Sequence, residues 1–139
     1  MIDNNCAYCV EGDLVAKFGI KICELETSKV YLFKEQSHPG RCIVAHKKHV
    51  GDMNELTAEE RAAYFEDVAR VARAIMAAFH TDKVNYGAYG DTGHHLHFHL
   101  CPKYKDEFEW GGVFLMNPDK KYLSDEEYAD MIAKIKANL

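Results

Sequence analysis

The chain has 139 residues, of which 47% are hydrophobic and 28% are charged, as in one ordinary globular domain. Its formal charge of −5 argues against a surface that coats nucleic acid, because binding the phosphate backbone needs clustered Lys and Arg. No apolar run approaches the roughly 18 to 20 residues of a membrane span. We therefore expect a single domain over residues 1–139, with no nucleic-acid polymer or membrane as partner.

The N-terminal segment, MIDNNCAYCVEGD, lacks the basic flank and apolar stretch of a signal peptide. We therefore expect a cytoplasmic protein whose five cysteines stay reduced. Cys6 and Cys9 form a Cys-x-x-Cys motif, which zinc sites and redox proteins share. The redox alternative requires a strand-to-helix junction in a βαβ unit, and none is evident here. Cys23, Cys42 and Cys101 are expected to be small apolar residues of the core.

The first half of the chain is predicted to form short strands followed by a long helix. β-Branched and aromatic residues predict strands at 14–18, 19–25, 29–34 and 41–46. The helix begins at Thr57, which forms a capping box with Glu60, and runs to about residue 80. Its apolar stripe is expected to face the core and consists of Ala63, Phe65, Val68, Val71, Ala72, Ile75 and Phe79.

Two further strands are predicted at 83–89 and 94–101, followed by a last helix over 124–139. Ser124 and Glu127 form the capping box of that helix. Strands that follow one another closely, with helices set apart, indicate an α+β fold. We expect an antiparallel sheet of about five strands with a long helix and a C-terminal helix.

The sequence GHHLHFHLCP, residues 93–102, holds four histidines within six positions. On a strand, His95, His97 and His99 share one face. A merely polar outer face is one explanation, although Thr, Lys or Glu would serve it equally well. The chemical alternatives are a three-histidine metal centre and an imidazole nucleophile that attacks phosphorus. The loop Gly90-Asp91-Thr92-Gly93 favours the second, because its backbone N–H groups can converge on an anion.

The triad segment, HLHFHLCP at 95–102, resembles the His-φ-His-φ-His-φ-φ signature of the histidine triad (HIT) superfamily, in which φ is apolar. The segment PGRCIVAHKKHVGDMNELTAEE, residues 39–60, is similar to the Pro-Gly-His strand and the Lys-basic-His stretch of the same family. The resemblance covers residues 6–103 in the expected order. Residues 104–139 form a variable C-terminal extension with a helix.

The resemblance implies a HIT-like homodimer in which each subunit binds a nucleotide or nucleoside phosphate. It implies a hydrolase or nucleotidyl transferase that acts at the α-phosphate of phosphoramidates or dinucleoside polyphosphates. His97 matches the nucleophile that forms a nucleotidyl-histidine intermediate, and His99 matches a residue that assists it. Thr92 with nearby amides matches the phosphate cradle, while Asn85 and Asp91 are further candidate substrate contacts. The complete His-x-His-x-His favours hydrolysis over transfer.

Several HIT proteins also carry an N-terminal Cys-x-x-Cys that binds zinc together with two histidines. The matching residues are Cys6, Cys9, His49 and His95. A Cys₂His₂ set is a closed tetrahedral shell, so this resemblance implies a structural zinc and leaves His97 free for chemistry. His46 is the rival for the role of His49.

The chain departs from the family pattern at several positions. Arg41 replaces the histidine of Pro-Gly-His, and it is either a surface-side strand residue or a phosphate contact. Glu35 is the nearest counterpart of the acidic residue that binds ribose, and Trp110 either covers the core or a dimer partner or faces substrate. An anionic Asp91 repels phosphate unless it faces away or binds a donor. Two alternatives therefore stay open: a nucleotide- or partner-binding module with little activity, and a three-histidine metalloenzyme.

Overall fold

The structure, a computed structural model, describes residues 3–139. Five strands form one antiparallel sheet in the order β1-β2-β3-β5-β4. The strands are β1 (Gly19–Glu24), β2 (Ser28–Phe33), β3 (Cys42–His46), β4 (Lys83–Gly87) and β5 (His97–Lys103). The α-helices are α1 (Ala7–Val10), α2 (Gly12–Ala16), α3 (Ala58–Phe79) and α4 (Asp125–Ala137), and a 3₁₀ turn spans Met53–Glu55. This architecture confirms the predicted α+β class.

Both predicted helix starts are confirmed. The Thr57 hydroxyl accepts from the Glu60 amide, and the Glu60 carboxylate accepts from the Thr57 amide. Ser124 and Glu127 exchange the same pair of hydrogen bonds at the start of α4. Each box satisfies two of the amide groups that a helix leaves unpaired at its N-terminus. Among residues 3–139, neither these helices nor the shorter ones have the length and apolar character of a membrane span.

The main core lies between one face of the sheet and helices α3 and α4. Its buried residues include Val30, Leu32, Val44, Leu100, Tyr64, Val68, Val71, Ala72, Ile75 and Ile135. The predicted stripe of α3 is confirmed in its middle, but Phe65 is 38% exposed, so the stripe is narrower at its start than predicted. Because this core covers one face of the sheet, a site for a ligand has to lie on the opposite face.

The strand register places two triad histidines on the opposite face. His97 pairs with Ala45 and His99 with Ile43, and residues directly opposite in an antiparallel pair share a face. Ala45 and Ile43 belong to a second, smaller cluster with Tyr8, Val15, Tyr31 and Phe33. The N-terminal helices cover part of this face and leave the rest open.

Two strand predictions are wrong: one predicted segment is not a strand, and another strand begins at a later residue than predicted. Residues 14–18 are not a strand, because helix α2 ends at Ala16 and buries Val15 against the second cluster. A five-residue apolar run does not by itself distinguish a helix from a strand. The histidine strand begins at His97 rather than at residue 94, because the His95 amide donates to the Gly93 carbonyl in a bend.

Candidate active site

A cleft of about 910 Å³ opens on the sheet face opposite α3. Three parts of the chain supply most of its lining: the N-terminal segment (residues 3–18), the loop of residues 90–93 with the triad, and the C-terminal segment (residues 104–123). Further contributions come from Phe33, Ile43, His49 and Tyr89. Within the described residues, no Lys or Arg lines this cleft, whereas Asp3 and Asp91 do. The walls are largely apolar and aromatic, and include Tyr8, Phe18, Phe33, Tyr89, Val113, Phe114 and Met116.

His97 is held in one tautomer at the floor of the cleft. Its Nδ1 lies 2.6 Å from the His95 carbonyl oxygen, which can only accept, so Nδ1 carries the proton. The lone pair is therefore on Nε2. Burial lowers the pKa of His97, which keeps the ring neutral near pH 7. A neutral imidazole with a free Nε2 has the form that a nucleophile requires.

His99 is held in the opposite tautomer beside it, with the two ring centroids 5.2 Å apart. Arg41 Nη2 donates to His99 Nδ1 at 3.1 Å, and because a guanidinium has no acceptor, Nδ1 carries no proton. Burial, and then the charge of Arg41, lower the pKa of His99 to about 3. His99 is therefore a neutral ring whose Nε2–H is available as a donor.

The loop of residues 90–93 supplies backbone donors next to these rings. None of its four amide groups donates to an acceptor within residues 3–139. Gly90 adopts a φ of 97°, which turns the chain there. Thr92 and Asp91 are exposed and line the cleft. Asn85 lies in β4 opposite Cys101 and does not line the cleft, so its contact with a ligand stays a prediction.

The four predicted zinc ligands meet at one end of the cleft. Their ligand atoms all lie within 4.8 Å of one another. His95 Nδ1 lies 3.3 Å from Cys6 Sγ, 3.7 Å from Cys9 Sγ and 3.1 Å from His49 Nδ1. Cys9 Sγ is 3.3 Å from His49 Nδ1. A tetrahedral zinc with S and N ligands separates its ligand atoms by roughly 3.3–3.8 Å. Three of these four separations lie in that range and the N–N separation is slightly shorter, so this Cys₂His₂ cluster fits the metal.

The outer nitrogen of His95 is already hydrogen-bonded, and that of His49 lies near a carboxylate. His95 Nε2 donates to the His46 carbonyl at 2.7 Å, which leaves the Nδ1 lone pair directed at the cluster. His49 Nε2 lies 3.9 Å from the Asp3 carboxylate. The rival ligand His46 is buried elsewhere, where its Nδ1 accepts from the Lys48 amide and its ring packs on Tyr64. The geometry thus distinguishes His49 from His46.

Sequence reasoning missed Tyr8 and the C-terminal segment. Tyr8 lies between the two cysteines, and its ring centroid is 4.9 Å from that of His97 and 5.3 Å from that of His95. Tyr8 therefore packs the metal cluster against the candidate nucleophile. Its position within Cys-x-x-Cys was the available signal. Val113, Phe114 and Met116 carried no such signal, because no motif or regular element marks them.

Two side chains differ from their expected surroundings, and a third does not line the cleft. Arg41 is fully buried just before β3, so it is neither a surface residue nor a residue that lines the cleft. Glu35 is buried and accepts from the amides of Lys120 and Lys121, so it fastens the C-terminal segment and does not line the cleft. Trp110 is 42% exposed and also lies outside the cleft lining.

Residues 19–106 match the family described as HIT domain, and the chain belongs to that family. The chain is similar to the protein hit of Bacillus subtilis (strain 168), with 30% identity over 83% of this chain and 82% of that protein. It is also similar to the adenosine 5′-monophosphoramidase hnt1 of Schizosaccharomyces pombe, with 28% identity over 77% of this chain and 80% of that protein.

Solved structures share the fold. A histidine triad protein from Sinorhizobium meliloti superposes with a TM-score of 0.84 at 23% identity, covering 92% of this chain and 95% of that one. A zinc-bound histidine triad family protein from Mycobacterium smegmatis superposes with a TM-score of 0.68 at 23% identity. That match covers 95% of this chain and 94% of the other. The HIT-like fold expected from the triad segment is confirmed.

Proposed function

We propose that this protein is a nucleotide hydrolase or nucleotidyl transferase that acts at an α-phosphate through His97. The observation that carries the proposal is the pair of fixed tautomers, since His97 presents a lone pair where His99 presents an N–H donor. The free amides of residues 90–93 supply further donors for phosphate oxygens. The phosphoramidase named among the relatives supports a substrate with a P–N bond, and dinucleoside polyphosphates are the second substrate class.

The reaction proceeds in two displacements. Nε2 of His97 attacks the α-phosphorus as the bond from phosphorus to the leaving group breaks; an amine leaves with a proton taken from solvent, whereas a phosphate leaves as its anion. Negative charge on the phosphoryl oxygens is stabilised by the Nε2–H of His99 and by the amides near Thr92. Water then attacks the nucleotidyl-histidine, which releases a nucleoside monophosphate and restores neutral His97. These roles require no metal at the reacting phosphorus.

Turnover of adenosine 5′-phosphoramidate and of a dinucleoside polyphosphate tests the proposal. Wild type is expected to hydrolyse at least one of them, and His97→Ala is expected to lose activity by about 10⁴-fold or more. His80→Asn is the matched control, since it replaces an exposed histidine at the left-handed C-cap of α3 with a residue that tolerates that conformation. Activity that survives in His97→Ala would contradict the assignment of the nucleophile.

The second candidate function is a nucleotide-binding module with little catalysis. Asp91 favours it, because this carboxylate lines the cleft and opposes the approach of an anionic phosphate. Nucleotide binding without turnover of either substrate class by wild type would support this candidate over the first.

We further infer that Cys6, Cys9, His49 and His95 hold a structural zinc. The ligand distances support it, as does the zinc-bound relative. A closed four-ligand shell leaves no open position for substrate, so the ion would order the N-terminal segment rather than supply a Lewis acid.

Reduced thiols suit a cytoplasmic location, which we infer on that ground.

We also propose a homodimer that pairs through β4. This strand is at one edge of the sheet, and Tyr86 on it is 52% exposed. Tyr86, Phe65 and Phe98 line an apolar groove of about 270 Å³ beside α3. An edge strand leaves a row of backbone N–H and C=O groups without a neighbouring strand, and an apolar groove beside it favours pairing with a second copy. Light scattering is expected to give the mass of a dimer for wild type and for Tyr122→Glu, and that of a monomer for Tyr86→Glu. A monomeric wild type would contradict the proposal.

A further inference from the structure

Arg41 is buried completely behind the cleft, directly before β3. Its Nη1 donates to the Leu115 carbonyl at 3.1 Å, and its Nη2 donates to the Met116 carbonyl at 2.9 Å. The same Nη2 donates to His99 Nδ1 at 3.1 Å. The guanidinium carbon lies 4.2 Å from the centroid of the Phe33 ring and 5.0 Å from that of Phe114. One side chain thus joins a triad histidine to the C-terminal segment.

This buried charge forms no direct ion pair within the described residues, although the carboxylates of Glu35 and Glu109 lie near enough to raise the pKa of the guanidinium against the effect of burial. Within residues 3–139, Arg41 forms no ion pair with a carboxylate, and its Nε has no hydrogen-bond partner. Burying a guanidinium among neutral acceptors and aromatic rings costs free energy that an opposite charge would offset. The charge is one hydrogen bond away from the cleft, through His99.

The cleft itself lacks a cation. No Lys or Arg is among the described residues that line it, although an anionic phosphate has to be bound there under the proposed function. The other fully buried cation, Lys103, donates to the carbonyls of Glu109 and Gly112 and has no contact with His99. Arg41 is therefore the buried cation that is placed to balance a phosphate.

We propose that Arg41 is a positioning residue that works through His99: it fixes the Nε2–H tautomer and provides the counter-charge for a phosphate bound in the cleft. The identity of the bound anion rests on the proposed function; the tautomer does not. Because Arg41 also holds the carbonyls of Leu115 and Met116, the same guanidinium places the wall formed by Phe114 and Met116. The position of that wall and the tautomer of His99 thereby depend on the same side chain.

The tautomer is read directly by long-range ¹H–¹⁵N NMR of the histidine rings at neutral pH. Wild type is expected to show His99 as a single Nε2–H tautomer. Arg41→Met is expected to show a mixture with the Nδ1–H form, because the donor to Nδ1 is gone. Lys103→Met is the matched control: it removes a buried cation that also holds the C-terminal segment but leaves the contact with His99. This control is expected to keep the wild-type tautomer.

Calorimetry with inorganic phosphate as the probe tests the counter-charge. Arg41→Met is expected to weaken phosphate binding by about tenfold or more, because the counter-charge and the fixed Nε2–H donor of His99 are both lost. Lys103→Met is expected to weaken it by less than about threefold, while it raises KM for a nucleoside phosphoramidate more than it lowers kcat. Arg41→Lys keeps the charge without the forked geometry and is expected to fall between wild type and Arg41→Met.

An unchanged His99 tautomer in Arg41→Met, or equal phosphate affinity in Arg41→Met and wild type, would overturn the proposal, as would a wild type that binds no phosphate. Where Arg41→Met does not fold, as judged by circular dichroism, Arg41→Gln takes its place in the phosphate titration, since it removes the charge and keeps polar atoms; its amide can still donate to His99 Nδ1, so the phosphate affinity alone then decides. Absence of turnover by wild type, with the expected NMR and calorimetry results, would refute the proposed hydrolysis and leave the role of Arg41 intact.

Discussion

The two ends of the cleft are built by different means. At the N-terminal end, the four side chains of the Cys₂His₂ cluster converge on one point, and Tyr8 packs them against His97. At the C-terminal end, buried side chains hold backbone groups of the C-terminal segment: Arg41 binds two carbonyls, Lys103 binds two more, and Glu35 accepts from two amides. Neither end relies on a long regular element.

The difference shows what orders an irregular chain over an open sheet face. Helix α1 has four residues, too few to be stable without tertiary support, so a bound metal ion would stabilise it. Residues 104–123 contain no helix or strand, and buried side chains pair with several of their carbonyl and amide groups. One end should therefore respond to metal and thiol chemistry, and the other to loss of buried polar groups.

The largest expected effect is the loss of zinc from the N-terminal end. Cys6→Ser combined with Cys9→Ser is expected to abolish zinc binding and to lower the free energy of unfolding by about 4 kcal/mol at a zinc concentration 1,000-fold above its dissociation constant. Metal analysis of protein purified without chelator, together with thermal unfolding, measures both quantities.

Cys23→Ser is the control for those variants, since Cys23 is a half-buried thiol outside the cluster. It should retain the zinc. Equal zinc content in the double variant and wild type would contradict the ligand assignment.

A smaller effect is expected from acid at the C-terminal end. The pKa of His99 is lowered to about 3 in the folded state against about 6.5 when unfolded, so the unfolded chain binds the proton first. The stabilisation is complete well above pH 6.5 and is lost as pH falls toward 3, with a loss of about 2 kcal/mol by pH 5. Wild type should therefore lose more unfolding free energy over this range than His99→Gln, at equal zinc content. Equal losses would show that His99 is not held neutral.

The smallest effect is expected from Glu109→Gln. The Glu109 carboxylate accepts from His38 Nε2 at 2.6 Å and from the Leu115 amide at 3.0 Å. An amide turns one of these acceptors into a donor, which should cost about 1 kcal/mol in unfolding free energy and raise KM. Glu107→Gln, an exposed neighbour, should stay within about 0.5 kcal/mol of wild type in denaturant unfolding. If both variants behave alike, Glu109 does not fasten this end.

Much of the fold follows from local signals. Both capping boxes predicted the starts of α3 and α4, and the order of strands and helices predicted the α+β class. The run at 14–18 was misassigned because a short apolar segment carries no period, and only its packing on Tyr31 and Phe33 decides its structure. A single domain over residues 1–139 stays a prediction.

The site was predictable where a motif marks it. The triad and Cys-x-x-Cys indicated the residues that meet at the N-terminal end, and the cluster brings together the four predicted ligands. Arg41 was not predictable in its role, because burial without a direct ion pair depends on carbonyls of Leu115 and Met116, more than 70 residues away in sequence. A contact between a side chain and a distant backbone carbonyl does not depend on the identity of the distant residue, so no sequence motif predicts it.

The stereochemical course at phosphorus shows directly whether His97 forms a covalent bond to the substrate. Hydrolysis of a substrate with a chiral α-phosphorothioate in ¹⁸O-labelled water distinguishes one displacement from two. Attack by His97 followed by attack of water inverts the configuration twice, so we expect net retention. Net inversion would contradict it, because water would then displace the leaving group directly and His97 would form no bond to phosphorus.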